Sequence, residues 1–313
     1  MLHTKVLSFT GFIGLAGLVS ATPLIYDGRA PFNYTSEDLN NSLDPYLSAV
    51  KGSNDASFYT QFLGHSHAPT PLWMPGIQEQ AMTISIDNSS VFVPGGSQPQ
   101  YGFRRTELIA QKDSNHTALD AITDVGTTVF HVSIQDDPAK PLNMSHEYQI
   151  VWIEPNDGSH IFEIQLGSPF TIPTGTVPVS DARSLKVRNH ALTLLFETPF
   201  TSNDWHNFAI QVDWTNRTLG VFYSTNATPL AAVTGLEDNS AAQLGVAAQG
   251  DYHFGVLKLP LVNSNDTAAQ QSDVVHFGIQ EGDAEALNYS GVFIESITGG
   301  VSSACGTTIT PIS

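Results

Sequence analysis

Beyond residue 81 the chain is a succession of short runs rich in Val, Ile, Phe, Tyr and Thr, cut apart by clusters of Asn, Asp, Gly, Ser and Pro. The apolar residues alternate with period two instead of recurring every third or fourth position, which is the signature of half-buried strands. Strands are predicted at 81–87, 101–110, 128–135, 148–154, 160–166, 184–188, 191–197, 205–214, 218–224, 253–262, 274–280 and 290–298. One short helix is expected within 35–50, where Leu39, Leu43 and Leu47 recur every fourth residue although Pro45 interrupts them. So many strands without interleaved helices specify an all-β fold, an antiparallel two-sheet β-sandwich of the jelly-roll type. No internal repeat and no linker mark a second domain.

The first 21 residues carry His3 and Lys5, then an apolar run, then Val19-Ser20-Ala21 as a small-residue cleavage site. This reads as a secretory signal peptide, too short and wrongly flanked for a spanning helix. Residues 22–298 are then the folded domain, and the Gly-, Ser- and Thr-rich segment 299–313 is expected to be a frayed, flexible tail. Twelve Lys and Arg against 30 Asp and Glu give a formal charge of −18, which disfavours nucleic acid and anionic membranes as partners. Nine Asn-X-Ser/Thr sequons, at Asn33, Asn40, Asn88, Asn115, Asn143, Asn216, Asn226, Asn265 and Asn288, fit a secreted glycoprotein carrying N-glycans. Cys305 is the sole cysteine, so no intrachain disulfide is available and stability must come from the core.

Two stretches place charge inside strands. In Arg104-Arg105-Thr106-Glu107-Leu108-Ile109, alternation puts Arg105 and Glu107 on one face with Phe103 and Ile109, and Arg104, Thr106 and Leu108 on the other. In His146-Glu147-Tyr148-Gln149-Ile150-Val151-Trp152, it puts Glu147, Gln149 and Val151 opposite to Tyr148, Ile150 and Trp152. Unpaired charge is costly to bury, so such faces are either wet grooves or paired internal sites. If both strands face one groove, it holds two carboxylates, an amide and a guanidinium. That set suits glycosidic cleavage, with one carboxylic acid protonating the leaving oxygen and a second carboxylate activating water or attacking the anomeric carbon.

Other candidates are weaker. Glu163 shares a face with Gln165 and could line the same groove, while Glu197 and Glu295 sit near strand ends. His206 and His253 lie in apolar strands, where a histidine is more often a satisfied core or rim residue than a ligand. His65-Ser66-His67 lacks a carboxylate or cysteine at a familiar ligand spacing, so no metal and no cofactor are assigned. Among the tryptophans, Trp152, Trp205 and Trp214 read as core; Trp73, in a loop, is an equal candidate for stacking on a sugar.

Five blocks resemble glycoside hydrolase family 131, the fungal secreted β-glucanases: Arg104 to Ile109, His146 to Ile150, Trp205-His206-Asn207-Phe208-Ala209, His253-Phe254-Gly255-Val256-Leu257-Lys258-Leu259-Pro260, and Ser290-Gly291-Val292-Phe293-Ile294-Glu295. The opening Tyr26-Asp27-Gly28-Arg29 is similar to the family's mature N-terminus, so the resemblance spans the chain after the leader. It implies a jelly roll with a broad open groove that hydrolyses β-1,3, β-1,6 and β-1,4 glucans, acting as an extracellular monomer without cofactor. It places the family's two catalytic glutamates on Glu107 and Glu147 and implies inversion, for which the carboxyl groups stand ~6.5–9.5 Å apart. Arg105 beside Glu107 favours its ionised form, which suggests Glu107 as base and Glu147 as acid. Arg105, Gln149 and His253 would bind sugar hydroxyls or orient the carboxylates. The segment 156–187 departs from the family's pattern, and Tyr148 and Val151 stand where more polar residues are expected.

Two rivals remain open at this stage. Arg105-Thr106-Glu107-Leu108 with Gln149-Ile150-Val151 also resembles jelly-roll alginate lyases of polysaccharide lyase family 7, with Val221-Phe222-Tyr223 the nearest match to their Tyr-bearing strand. A chain at −18 suits a polyanionic substrate poorly. The other rival is a non-catalytic glucan-binding protein on the same scaffold, which could dispense with paired acids.

Overall fold

The computed structural model describes residues 22–76 and 78–313, and the segment 1–21 read as a signal peptide lies outside them. Two antiparallel sheets face each other. In spatial order the first, here the site sheet, contains Leu194–Pro199, Ser184–Asn189, Phe162–Gly167, Glu147–Pro155, Gly250–Lys258, Arg104–Ala110 and Tyr46–Leu47. The second, the back sheet, is built around Thr218–Thr225, His206–Asp213, Thr127–Asp136, Glu285–Ser296 and Met82–Ile86, with short strands at its margins. Four strands of the site sheet follow one another as a meander, but Gly250–Lys258 arrives from far along the chain and inserts between Glu147–Pro155 and Arg104–Ala110. That insertion sets His253 between the strands bearing the two glutamates.

Strand alternation makes the core. Phe130, Val132, Ile134, Leu287 and Tyr289 of the back sheet meet Leu108, Ile150, Ile164, Phe254 and Val256 of the site sheet, all fully buried. A fully buried side chain of this size stabilises the fold by about 1.5–3 kcal/mol. Lys258 is the exception on the inward face: its ammonium lies 2.6 Å from Glu285 and 2.7 Å from Glu281, and Glu285 also accepts the Tyr148 hydroxyl. A buried lysine is tolerated here because it is paired on both sides.

The all-β sandwich agrees with the sequence reading, and several local expectations do not. The helix within 35–50 shrinks to Ser36–Asn40, and Tyr46–Leu47 joins the site sheet beyond Pro45. A helix at His116–Thr123 was not anticipated; the Asn115 side chain caps it by accepting from the Ala118 amide at 2.9 Å. The predicted strand at 274–280 is absent apart from one bridge between Leu261 and Ile279. The segment 299–313 is not a frayed tail: Val301–Ala304 and Thr307–Ile309 form a hairpin on the outer face of the back sheet. Val301 is fully buried there, and the Gln211 amide side chain exchanges two hydrogen bonds with the Ile312 backbone, at 2.9 and 3.0 Å. Sequon residue Asn288 lies buried in mid-strand with its side chain bonded to Thr83 and to the Asp136 carbonyl, which leaves no room for a glycan in the folded state.

Candidate active site

Arg104–Ala110 alternates without interruption, so Leu108 and Ala110 enter the core while Arg105 and Glu107 emerge on the opposite, groove face. The guanidinium grips the carboxylate as a fork: Arg105 Nε donates to Glu107 Oε1 and Nη2 to Oε2, both at 2.7 Å. From the neighbouring strand, His253 Nδ1 lies 3.1 Å from Glu107 Oε2. Gly255 pairs opposite Glu107, and a Cβ there would lie 2.3 Å from the Thr106 carbonyl oxygen and 2.7 Å from Glu107 Cα, so only glycine admits this close approach. Burial by itself would raise the Glu107 pKa; Arg105 and the His253 hydrogen bond outweigh it and hold the carboxyl below the usual carboxylate range.

Glu147–Pro155 is different because it carries a bulge. Gln149 pairs with Gln165 and Val151 with Ile164, so Ile150 has no counterpart on the adjacent strand. Ile150 and Val151 both enter the core, and the phase of the strand reverses. Glu147 and Gln149 occupy the groove face before the bulge, Trp152 and Glu154 after it. The expectation that Val151 faces the groove and Trp152 the core is thereby corrected. Trp152, fully buried, stacks under His253 with centroids 5.0 Å apart and under His160 at 5.4 Å, and its Nε1 donates to Glu154 at 2.9 Å.

Glu147 does not touch the Arg105–Glu107–His253 cluster. Its Oε1 accepts from Arg188 Nη2 at 2.5 Å, and its Oε2 accepts from the backbone N–H of Phe170 at 2.6 Å. Arg188 is shared: its Nε donates to Glu163 Oε1 at 2.6 Å, and His160 Nδ1 lies 2.6 Å from Glu163 Oε2. One guanidinium thus serves two carboxylates here, whereas Arg105 serves Glu107 alone. Burial would raise the Glu163 pKa, but the His160 hydrogen bond and Arg188 bring it below the usual range. The two clusters are joined across the sheet by the stacked rings of His253, Trp152 and His160. Phe103, Phe170 and Val274, from three loops, pack over Trp152, Leu257 and Leu259 as a small roof. The Glu107 side chain is 0% exposed and that of Glu147 only 6%, each enclosed by its own hydrogen-bond partners.

A model of the glycoside hydrolase 131 catalytic N-terminal domain matches residues 24–300. The chain belongs to glycoside hydrolase family 131. Two solved structures share its fold with a TM-score of 0.65 and 24% identity: the catalytic domain of a family 131 β-glucanase from Podospora anserina and that of a family 131 protein from Coprinopsis cinerea. Each alignment covers 91% of this chain, with 99% of the first relative and 98% of the second. No curated protein sequence matches it.

Within this family 131 domain, the structure brings together Arg105, Glu107 and His253 in direct contact and sets Glu147 and half-buried Gln149 on the same face, two strands away. Beside Gln149, the buried side-chain carbonyl of Gln165 has no protein partner. Trp73, considered for stacking, is buried on the back sheet against His131 and Phe293. Glu295 likewise belongs to the back, bonded to His131 at 2.9 Å. Tyr223, which the lyase reading needs in the groove, lies in the back sheet and bonds to His206 at 2.7 Å. Arg188, His160 and the Phe170 amide were missed. Arg188 was within reach of sequence reasoning, since alternation along 184–188 and 160–166 gives it the same facing as Glu163 once those strands are made neighbours. A hollow under the C-terminal hairpin is lined by Trp73, Phe293 and Glu295 and contains neither Glu107 nor Glu147. A smaller one beside Glu147 is lined by Ser145, Ser168, Thr171 and Thr174.

Proposed function

We propose that this family 131 domain hydrolyses β-glucans, with β-1,3, β-1,6 and β-1,4 linkages as the substrates to test, using Glu107 and Glu147 as an inverting pair. The observation that carries this reading is the unequal provision for charge on one sheet face. Arg105 neutralises Glu107 alone and keeps it ionised, as a base must be. Arg188 is divided between Glu147 and Glu163, so Glu147 has no guanidinium of its own, and we assign it as the acid. Glu147 then protonates the glycosidic oxygen while Glu107 takes a proton from a water attacking the opposite side of the anomeric carbon, the carboxyl groups standing ~6.5–9.5 Å apart. His253 orients Glu107; Gln149 and the hydroxyl-lined hollow beside Glu147 receive sugar hydroxyls. The β-glucanase title of the Podospora relative supports the substrate class. In this reading the protein is exported after cleavage behind Ala21, carries N-glycans at exposed sequons and works as a monomer.

The test is reducing-sugar release from laminarin, a β-1,6-glucan and a soluble β-1,4-glucan by the mature chain and by Glu107→Gln and Glu147→Gln. Both variants should fold and lose about 10²–10⁴-fold in kcat. Full turnover by either removes that glutamate from the mechanism. Glucan binding without turnover by the unsubstituted chain would leave a binding protein, and unsaturated product from alginate would make it a lyase.

A further inference from the structure

The helix His116–Thr123 packs on the beginning of the strand Gly250–Lys258, beyond the His253 end of the groove. His116 and Asp120 are one turn apart and share a face of the helix. Asp251, two residues before His253, meets them: His116 Nδ1 lies 2.5 Å from Asp251 Oδ1, and one ligand atom from each of the three residues falls within 4.8 Å of the others. Tetrahedral ligands about 2.0–2.2 Å from a zinc ion are ~3–4 Å from one another, so little movement would close this set around an ion.

Asp120 supplies the second observation. Its residue is only 8% exposed, and the carboxylates of Asp251 and Asp124 lie near it together with the His116 ring. Asp124 is itself engaged, accepting from the Gly250 amide at 2.9 Å and from the Thr123 hydroxyl at 2.9 Å. A largely buried carboxylate set against a second carboxylate, with neither Lys nor Arg beside it and His116 the one neighbour able to carry positive charge, has room for a further cation.

We propose that His116, Asp120 and Asp251 bind one divalent first-row cation, with Zn²⁺ the best fit, and that the ion fastens the helix to the end of the site sheet. An imidazole nitrogen beside two carboxylate oxygens favours Zn²⁺ over the oxygen-seeking Ca²⁺ and Mg²⁺. The His116 side chain is 40% exposed and that of Asp251 24%, which leaves the remaining coordination position to water.

The experiment takes the full mature chain, strips it with a chelator, and follows Zn²⁺ and Ca²⁺ addition by calorimetry and thermal unfolding. One saturable Zn²⁺ site is expected, with a Tm rise of about 5 °C at a hundredfold excess over Kd, and a smaller response to Ca²⁺. Asp120→Asn, which removes a negative charge and is expected to fold, should abolish both binding and the Tm rise, while His65→Ala should leave them intact. Absence of saturable Zn²⁺ binding overturns the proposal, as does binding that survives Asp120→Asn. A metal-independent rise in Tm for Asp120→Asn, with no Zn²⁺ response in the unsubstituted chain, would reduce the cluster to an ion pair beside a shared proton.

Discussion

Glu107 and Glu147 lie on the same sheet face, and they are held in opposite ways. All partners of Glu107 come from two adjacent strands: Arg105 from its own and His253 from the next, with Gly255 opening the space between them. Glu147 is held from a distance, by Arg188 two strands away and by the amide of Phe170 in a loop. The first carboxylate is therefore fixed by its own and the adjoining strand, and the second jointly by a more distant strand and by whatever keeps the 168–183 connection in place. A groove assembled this way has one rigid wall and one wall whose geometry follows a loop.

The sharpest way to break the contrast is to remove each guanidinium. Arg105→Met strands a carboxylate with no other cation in hydrogen-bond reach except His253, and should cost about 3–5 kcal/mol of stability, as for a broken buried pair. Arg188→Met should cost less, because His160 remains on Glu163 and the Phe170 amide on Glu147. Chemical denaturation of the two variants in parallel gives the ranking, and equal losses would erase the distinction.

The pH dependence follows from the same pair. Glu107 has a folded pKa below its unfolded value of about 4.3, so its contribution to stability is complete above that pH and is lost as pH falls through the lower, folded value. As the base, it should keep kcat/KM high as pH drops past 4.3, with the acidic limb appearing below. Arg105→Lys, which keeps the charge but loses the fork, should move that limb upward. A limb unmoved by this change would assign the titration to another group.

Gly255→Ala tests the rigid wall with less force: the added methyl meets backbone on the Glu107 strand, and a loss of about 1–3 kcal/mol with lowered kcat is expected. Phe170→Ala tests the loop wall and should have the smallest effect, raising KM several-fold with kcat nearly kept, since the amide donor survives while the side chain's packing in the roof is lost. A kcat loss equal to that of Gly255→Ala would show that both walls are equally rigid.

What the sequence disclosed follows the same division. Arg105 and Glu107 were legible because their strand alternates without interruption, whereas the apolar neighbours of His253 read as core or rim and only the family resemblance pointed to it as a site residue. Val151 and Trp152 were assigned to the wrong faces because a bulge leaves no local mark: Ile150 is as good a strand residue as its neighbours. Arg188 required knowing which strands adjoin, and the Phe170 amide has no side-chain signal at all. The 299–313 hairpin was hidden by composition, although Val301, Ile309 and Ile312 supply the apolar contacts that dock it. The His116–Thr123 helix was hidden by its length, since eight residues hold barely two turns of periodicity.

Ile150, the unpaired residue at the bulge, makes Glu147–Pro155 behave as two rulers joined out of step. Were Ile150 drawn into the ladder and the bulge lost, the large indole of Trp152 and the carboxylate of Glu154 would turn into the sandwich interior while Glu147 stayed in place; deleting Ile150 would instead leave every facing as it is, with Val151 in the inward position. The stacked floor between the two carboxylates therefore depends on this extra residue staying out of the ladder, and any graft, chimera or alignment of this strand has to be anchored separately on each side of it.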